Sequence, residues 1–496
     1  MICLPEPDAT ILARRPQILA ALRELVPAEC LIEDPPRLAA YETDGFTAYR
    51  QQPLAVVLPQ TTPQLAAVVR FAAEQQLRIV PRGAGTSLSG GAIPLADALV
   101  IGLGKFNRIL EIDYENRCVV AQCGVTNLAL TEAVAENGFY YAPDPSSQIA
   151  CTIGGNVAEN SGGVHCLKYG LTTHNVLGVE LVTPQGEVVR IGGKHLDAGH
   201  YDLLGLIVGS EGLLGIVTEV TVRILRRAES ARALLIGFAS TEAAAGCVAA
   251  VIAAGIVPAG MEMMDGPAIQ AAEAFVKVGY PLAAAALLII ELDGASVEVD
   301  LLAERVSALA ASHGATSCRV ARSDEERLAF WAGRKAAFPA VGRVSPDYYC
   351  MDGTIPRREL PRVLETIHAM SVRYGLRVAN VFHAGDGNLH PLILYDANAP
   401  GELARAEAFG NDILRLCVDV GGVLSGEHGI GLEKRDLMPY QFGPEDLEVQ
   451  HRVKHAFDPE VRFNAGKVFP SLHRCAEQGR THVRAGSERF PDLPRF

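Results

Sequence analysis

The sequence lacks three kinds of segment, and each absence excludes a class of protein. Its longest strongly apolar stretch, AAAALLII at 283–290, is far too short to cross a bilayer. The first residues show no basic region followed by a long apolar stretch, so we expect no secretory signal. No segment is dense in lysine and arginine, and the net charge of −13 argues against a nucleic-acid partner. These absences predict a cytoplasmic protein, and leave open docking on a partner at the cytoplasmic face of the inner membrane.

Cysteine usage adds a further exclusion. The eleven cysteines are scattered and include no Cys-x-x-Cys pair. That usage is typical of a reducing compartment, and it argues against a disulfide framework and against an iron–sulfur cluster carried by this chain. Cys118 and Cys123 are close in sequence but have no companion cysteines, so we assign no metal cluster to them.

The chain of 496 residues is longer than a single core usually is, and its patterns change along its length. The first half alternates strands and helices. We predict strands over 53–59 and 77–80, with a helix between them that is capped by Thr62 and has Pro63 at its first position. Residues 176–193 read as a β-hairpin.

The second half has a different character. New strands begin after Arg227, and Ala-rich helices are predicted over 296–312 and 323–338. We therefore place domains at 1–227 and 228–453, followed by a C-terminal segment at 454–496.

Three glycine-rich segments stand out in the first half. PRGAGTSLSGG at 81–91 follows a predicted strand, so its backbone amides could form an anion cradle, with hydroxyls added by Thr86, Ser87 and Ser89. It matches neither the GxGxxG fingerprint nor a P-loop, and a mobile glycine turn is the alternative. The span 141–170 reads as a long, ordered ligand-binding loop with little periodicity. With GSEGLLGIVTEV at 209–220, these segments indicate one long ligand that carries a pyrophosphate and a planar ring.

In this order the three segments resemble the FAD domain of the vanillyl-alcohol oxidase/p-cresol methylhydroxylase (PCMH) superfamily. The resemblance implies an α+β protein with a PCMH-type FAD domain, an α+β substrate domain of ferredoxin-like type, and a C-terminal segment that returns to the flavin. Members that tether the flavin from the first loop use a histidine where Thr86 stands, so the resemblance implies noncovalent FAD. The implied FAD-binding residues are Pro81, Arg82, Gly83, Ala84, Gly85, Thr86, Ser87, Ser89 and Gly90 in the first segment, Pro143, Asp144, Ser146, Thr152, Gly154, Gly155, Asn156 and Gly162 in the second, Glu211, Gly212, Gly215, Ile216 and Val217 in the third, and Asn464.

Two motifs in the second half carry the remaining chemistry. VFHAGDGNLHP at 381–391 reads as two strands joined by a short turn, which puts His383 and His390 at facing strand ends. Two imidazoles so placed can bind one cation, with zinc or manganese suitable, although purely structural histidines are common. SGEHGIG at 425–431 offers Glu427 as a third ligand and His428 as a base, the alternative being a Glu–His pair at a helix start.

These motifs resemble those of the FAD-linked D-2-hydroxyacid dehydrogenases. The resemblance implies that His383, His390 and Glu427 hold a divalent metal and that His428 is the catalytic base. It also implies that Asn388 lies near the substrate and that Arg334, which follows Trp331 in a W-x-x-R pattern, binds the substrate carboxylate. The alternative for Arg334 is a solvated charged helix face, which is usual for arginine.

Over nearly the whole chain, including the segments 345–358 and 471–483, the sequence resembles the flavin subunits of bacterial glycolate oxidases. This implies oxidation of glycolate to glyoxylate, with D-lactate as a second substrate. It also implies that a second FAD-binding subunit and an iron–sulfur subunit receive the electrons. The alternatives are a dedicated FAD-linked D-lactate dehydrogenase and a non-catalytic flavin-binding assembly subunit.

Overall fold

The computed structural model describes residue 2, residues 4–195 and residues 201–470, and these residues form an α+β fold, as predicted. The strands are β1 Leu31–Ile32, β2 Ala55–Val57, β3 Arg78–Arg82, β4 Ala98–Gly102, β5 Ile109–Asp113, β6 Cys118–Gln122, β7 Phe139–Tyr140, β8 Val176–Val182, β9 Val188–Gly192, β10 Ile216–Arg223, β11 Leu225–Arg226, β12 Ser230–Phe238, β13 Gly260–Asp265, β14 Ala286–Gly294, β15 Ala315–Val320, β16 Asp347–Cys350, β17 Val378–His383 and β18 Asn388–Tyr395. The helices are α1 Ala9–Ala13, α2 Arg15–Leu25, α3 Pro35–Leu38, α4 Thr62–Glu74, α5 Asn127–Val134, α6 Ile153–Glu159, α7 Cys166–Tyr169, α8 Leu203–Ile207, α9 Thr241–Ala253, α10 Gly266–Val276, α11 Ser296–Ser312, α12 Asp324–Lys335, α13 Ala337–Val341, α14 Leu360–Tyr374, α15 Glu402–Asp419, α16 Met438–Gln441 and α17 Pro444–Phe457.

The first glycine-rich segment leaves the end of a strand in a small mixed sheet of order β1–β2–β4–β3. Strands β2, β4 and β3 run parallel, and helix α4 makes the crossover from β2 to β3, which lie on the two sides of β4. The segment therefore begins at the carboxyl end of parallel strands, where ligands commonly bind in open α/β sheets.

A second sheet, of order β5–β6–β10–β8–β9, is antiparallel throughout. It shares one apolar core with the first sheet, to which Val57, Leu99, Val119, Val179 and Val220 all contribute. The third glycine-rich segment leads directly into β10. The predicted hairpin is confirmed as the pair β8–β9.

The second half is built on an antiparallel seven-stranded sheet of order β15–β12–β14–β13–β17–β18–β16. Its first four strands, with α9 and α11 as crossovers, have the split order of a ferredoxin-like unit, and β17, β18 and β16 extend it. Separate apolar clusters cover its two faces. The hairpin predicted around residues 381–391 is confirmed as β17–β18, in which His383 pairs with Asn388.

Some local predictions were wrong in detail. Helix α4 is capped by Thr61, whose hydroxyl accepts the Gln64 amide, so Pro63 is its second residue and not its first. The span 141–170 is less irregular than expected because it contains α6 and α7. Its glycines weaken the helical signal, whereas the Thr152 hydroxyl caps α6 by accepting the Gly155 amide at 3.2 Å.

The long helix predicted over 323–338 is divided into α12 and α13. Pro339 lies in the first turn of α13. It has no backbone N–H to donate to the carbonyl four residues earlier, and its ring clashes with that carbonyl, so a single continuous helix is disfavoured here. The other Ala-rich helix, predicted over 296–312, is confirmed as α11.

The part of the C-terminal segment that the structure describes returns to the first sheet. The Ile79 amide donates to the Arg462 carbonyl at 2.9 Å, and the Asn464 amide donates to the Ile79 carbonyl at 2.8 Å. The similarity noted at 471–483 lies outside the described residues. Among the helices that are described, none combines the length and the apolarity needed to cross a membrane.

Candidate active site

A cavity of about 710 Å³ lies between the glycine-rich segments and the seven-stranded sheet. All three glycine-rich segments, the β17–β18 hairpin, the end of α12 and the 425–431 motif contribute to its walls. The predicted site residues that line it are Pro81, Arg82, Gly83, Ala84, Gly85, Thr86, Ser87, Ser146, Thr152, Gly154, Gly155, Asn156, Glu211, Gly212, Gly215, Ile216, Val217, Arg334, His383, His390, Glu427, His428 and Asn464. Residues from both halves of the chain thus line one cavity.

The remaining predicted site residues are not among those that line this cavity: Ser89, Gly90, Pro143, Asp144, Gly162 and Asn388. They contact other protein groups instead. The Pro143 carbonyl accepts from Asn127, and the Asp144 carboxylate pairs with His165 at 2.9 Å. The Asn388 side-chain oxygen accepts from the Thr354 hydroxyl at 3.4 Å.

The first glycine-rich segment fits a pyrophosphate. Within the described part of the chain, no backbone amide of residues 83–88 donates a hydrogen bond to another protein group. The loop folds closely around the buried Arg82. Gly85, whose φ is +72°, lies so near this side chain that an added Cβ would be 2.2 Å from a guanidinium nitrogen. Unpaired amides beside a buried guanidinium suit an anionic ligand.

The hairpin histidines face Glu427 across the cavity wall. The Oε1 atom of Glu427 lies 3.4 Å from Nε2 of His383 and 3.0 Å from Nε2 of His390. Two ligands that are each about 2.1 Å from a tetrahedral ion are separated by roughly 3.4 Å, so each of these two distances suits a shared cation. The compact group of possible ligands among the described residues, however, contains His390 and Glu427 together with Asp352 and His428, and does not contain His383. Burial alone would raise the pKa of Glu427, but hydrogen bonds with His383 and His390 hold it well below its usual range.

The other nitrogen of each ring is also engaged. Nδ1 of His383 lies 2.7 Å from Oε1 of Glu262, and Nδ1 of His390 lies 3.2 Å from the Met351 carbonyl. Without a metal, the hydrogen bonds to Glu427 require a proton on each Nε2; with Nδ1 donating to these acceptors instead, both Nε2 lone pairs would be free for a metal ion, as in known zinc sites. Two imidazoles and a carboxylate are donor types that suit zinc or manganese, and the ligand set His383, His390 and Glu427 stays a prediction.

The motif that carries Glu427 and His428 is held by one buried carboxylate. Asp352 accepts the backbone amides of Gly426 at 3.2 Å, Glu427 at 3.2 Å and His428 at 2.9 Å. It also accepts the Lys434 ammonium at 2.9 Å. Burial opposes the charge on Asp352, but His428 and Lys434 keep its pKa well below the usual range.

His428 has one ring nitrogen available. Its ring stacks on His390 with centroids 4.9 Å apart, and its buried Nδ1 has no hydrogen-bond partner among the described residues. Burial lowers its pKa to about 4, so the ring is neutral near pH 7 and can accept a proton. The ligand atoms of Asp352, His390, Glu427 and His428 all lie within 4.8 Å of one another.

Two residues predicted to bind FAD also contact the His428 motif. The Ser89 hydroxyl donates to the His428 carbonyl at 2.9 Å. The Glu211 carboxylate accepts the amides of Ile430 at 2.7 Å and Gly431 at 2.8 Å. The glycine-rich segments thereby fix the position of this motif relative to the cavity.

Arg334 is buried at the end of α12 and lines the cavity. Its Nε and Nη2 donate to Oε2 of Glu262 at 2.8 and 2.7 Å. Its Nη1 donates to no group within the described residues, so that nitrogen is available to a carboxylate ligand. This placement contradicts the alternative of a solvated helix face.

Sequence reasoning missed two acids that organise this site. Glu262 lies in the apolar strand β13 and is 1% exposed, and Asp352 is fully buried. For Glu262 the available signal was an acid between apolar residues of a buried strand, because a buried carboxylate requires a partner. The sequence does not indicate which residue is the partner of this carboxylate.

Comparison with known proteins identifies the family of this chain. Residues 227–468 match the model of the C-terminal domain of FAD linked oxidases, and residues 53–192 match the model of an FAD binding domain. The glycolate oxidase subunit GlcD of Escherichia coli (strain K12) is 54% identical, over 99% of this chain and 98% of that protein. A D-lactate dehydrogenase of Anaerostipes hadrus is 31% identical, over 91% of this chain and 97% of that protein.

The solved structure of p-cresol methylhydroxylase with substrate bound covers 95% of this chain and 99% of its own, with a TM-score of 0.80 at 17% identity. Fold and site thus define a PCMH-type flavoprotein with a second α+β part, as predicted. The chain belongs to the FAD-linked oxidases. It is an FAD-linked oxidoreductase similar throughout its length to glycolate oxidase subunits.

Proposed function

We propose that this chain oxidises a short 2-hydroxy acid, glycolate to glyoxylate, and also D-lactate to pyruvate. The observation that carries the proposal is one cavity that holds a free arginine nitrogen, an unpartnered histidine nitrogen and a run of unpaired amides. The 54% identity to a glycolate oxidase subunit supports glycolate as the substrate.

The cofactor would be noncovalent FAD, held by the glycine-rich segments. When bound, FAD supplies a two-electron acceptor for the hydride on C2 of the substrate. Thr86 offers no nucleophile suited to tethering the flavin at the position where related proteins use histidine. A divalent metal held by His383, His390 and Glu427 would polarise the substrate oxygens.

The chain's own residues account for binding and proton transfer. Nη1 of Arg334 donates to the substrate carboxylate, and the neutral His428 accepts the hydroxyl proton. Phe338 and Tyr348, which line the same cavity, provide apolar walls that exclude water. Glu211 and Ser89 keep the His428 motif fixed while the proton moves. Asn388, which is not part of the cavity lining, would act only through neighbouring groups.

A dedicated D-lactate dehydrogenase is the second candidate, favoured by the similarity to such an enzyme of Anaerostipes hadrus. One methyl group separates the two substrates and is worth only about 1–3 kcal/mol in a pocket. A dicarboxylic acid is a clearer contrast. Relatives that act on D-2-hydroxyglutarate have a lysine where Cys350 stands, and burial keeps this thiol protonated by raising its pKa well above the usual value.

The test is turnover of glycolate, D-lactate and D-2-hydroxyglutarate by purified protein with a dye acceptor. We expect the first two acids to react and kcat/KM for the third to be lower by about 10²-fold, the scale of one lost charged contact. Equal kcat/KM for all three acids contradicts the role given to Cys350. No turnover of any of them by FAD-loaded protein contradicts the proposed function.

We further propose that electrons leave through a second FAD-binding subunit and an iron–sulfur subunit, which would bring the chain to the membrane surface. The relative in Escherichia coli is itself named as a subunit, which supports partners of some kind. Affinity purification from the native host should recover both proteins. Full respiratory activity in membranes stripped of them would argue against this proposal. The domain limits 1–227, 228–453 and 454–496 remain predictions, which limited proteolysis can test.

A further inference from the structure

We infer that Glu262 is a positioning residue that fixes the carboxylate-binding arginine and a metal-binding histidine at the same time. The inference rests on the proposed function and deepens it. It starts from a buried carboxylate whose two oxygens have different partners. Oε2 accepts from Arg334 at 2.7 Å, and Oε1 lies 2.7 Å from Nδ1 of His383.

The sheet register brings these groups together. Strand β13 pairs with β17 through Met263 and Phe382, so Glu262 and His383 are neighbours at the next step of the antiparallel register. Arg334 reaches the same carboxylate from α12, which packs on this face of the sheet through Phe330 and Trp331. Exposure is 1% for Glu262, 2% for Arg334 and 6% for His383.

Each contact has a defined effect on its partner. Nε and Nη2 of Arg334 are both bound to Glu262, which fixes the guanidinium plane and leaves Nη1 free for the substrate carboxylate. The proton held on Nδ1 of His383 by Glu262 leaves the Nε2 lone pair for a metal. One carboxylate thus sets the geometry of the arginine that would bind the substrate carboxylate and of the histidine that would bind the metal.

The inference makes Glu262→Gln informative. Glutamine has the same shape but only one acceptor oxygen, so its NH₂ group must face either Arg334 or Nδ1 of His383. In the first case the arginine loses its anchor. In the second case Nδ1 becomes the acceptor, and the proton moves to Nε2, where it blocks metal binding. Both cases damage the site without removing any group that touches the substrate.

The experiment measures metal affinity, FAD content and steady-state kinetics of the FAD-loaded protein. Chelator-treated wild type and Glu262→Gln are titrated with Zn²⁺ and Mn²⁺. We expect Glu262→Gln to keep FAD but to lose about 10–100-fold in metal affinity or to show a KM for glycolate raised by a similar factor. Glu262→Asp, which keeps both acceptors on a shorter arm, should recover part of that loss.

Asp265 supplies the matched control. It is a buried acid of the same strand, but it accepts from the amide of Ala268 and from the amide and side chain of Asn380, away from the cavity. Asp265→Asn should change thermal stability while metal affinity and KM stay at their wild-type values. That contrast separates positioning of the site from general support of β13.

Two results overturn the inference. Wild-type metal affinity and KM in Glu262→Gln, with only the melting temperature lowered, would show that Glu262 is merely structural. An equal loss of metal affinity in Asp265→Asn would show that any damage to β13 has this effect. By contrast, wild-type protein that binds neither metal ion and oxidises no 2-hydroxy acid would refute the proposed function itself.

Discussion

Asp352 offers the strongest test of how the catalytic motif is held. It is fully buried, as is Lys434, and the carboxylate and ammonium are 2.9 Å apart. Asp352→Asn preserves the shape of the side chain but removes the nearest counter-ion of the buried lysine, which keeps only the more distant Glu433 carboxylate at 4.0 Å. Breaking a buried ion pair in this way costs about 3–5 kcal/mol. The loss also weakens the anchoring of three backbone amides in the Glu427–His428 motif.

The cost should be visible in thermal unfolding. For a unit of roughly 150–250 residues, each kcal/mol shifts the melting temperature by about 2–4 °C, so we expect a decrease of about 6–20 °C. The assay is differential scanning fluorimetry of FAD-loaded protein at pH 7. Metal content measured on the same samples shows whether Glu427 has moved.

A double-mutant cycle with Lys434→Met sharpens the result. Removing both charges is less costly than removing one, because neither charge is left buried alone. We therefore expect Asp352→Asn with Lys434→Met to melt above Asp352→Asn alone. A melting temperature within 2 °C of wild type for the single variant, or strictly additive losses in the double variant, would refute the reasoning.

Three further predictions concern other parts of the site and fold. His428→Ala should lower kcat by about 10²-fold or more while metal and FAD remain bound, as expected for a lost general base, and unchanged kcat would exclude that role. Acid precipitation should release all FAD into the supernatant, since Thr86 cannot tether it, and flavin left in the pellet would contradict this. Burial raises the pKa of Asp265 to about 6. Protonation of this carboxyl therefore stabilises the folded protein fully below about pH 4, and this contribution to the free energy of unfolding is lost as the pH rises through 6. The free energy of unfolding of Asp265→Asn relative to wild type should therefore rise by about 2 kcal/mol from pH 4 to pH 7 in urea titrations, and a constant difference would argue against this pKa.

The local features of this protein follow from its sequence. Period-two and helical patterns predicted the strands, the hairpin β8–β9 and helix α11, because each is set by side chains close together in the chain. The turn between His383 and Asn388 is equally local, since its residues suit a tight connection of two strands. The glycine-rich segments revealed the FAD domain through their order and through family resemblance.

Only the tertiary structure decided which groups complete the site. Glu262 lies 121 residues from His383 and 72 from Arg334, and Ser89 lies 339 residues from His428. No periodicity connects such positions, and an acid in a largely apolar strand is compatible with any cation that packing brings near. Strand register, the packing of α12 on the sheet, and burial select the partners. The sequence therefore determined the elements and the ligand types, and the fold determined which acids hold them in place.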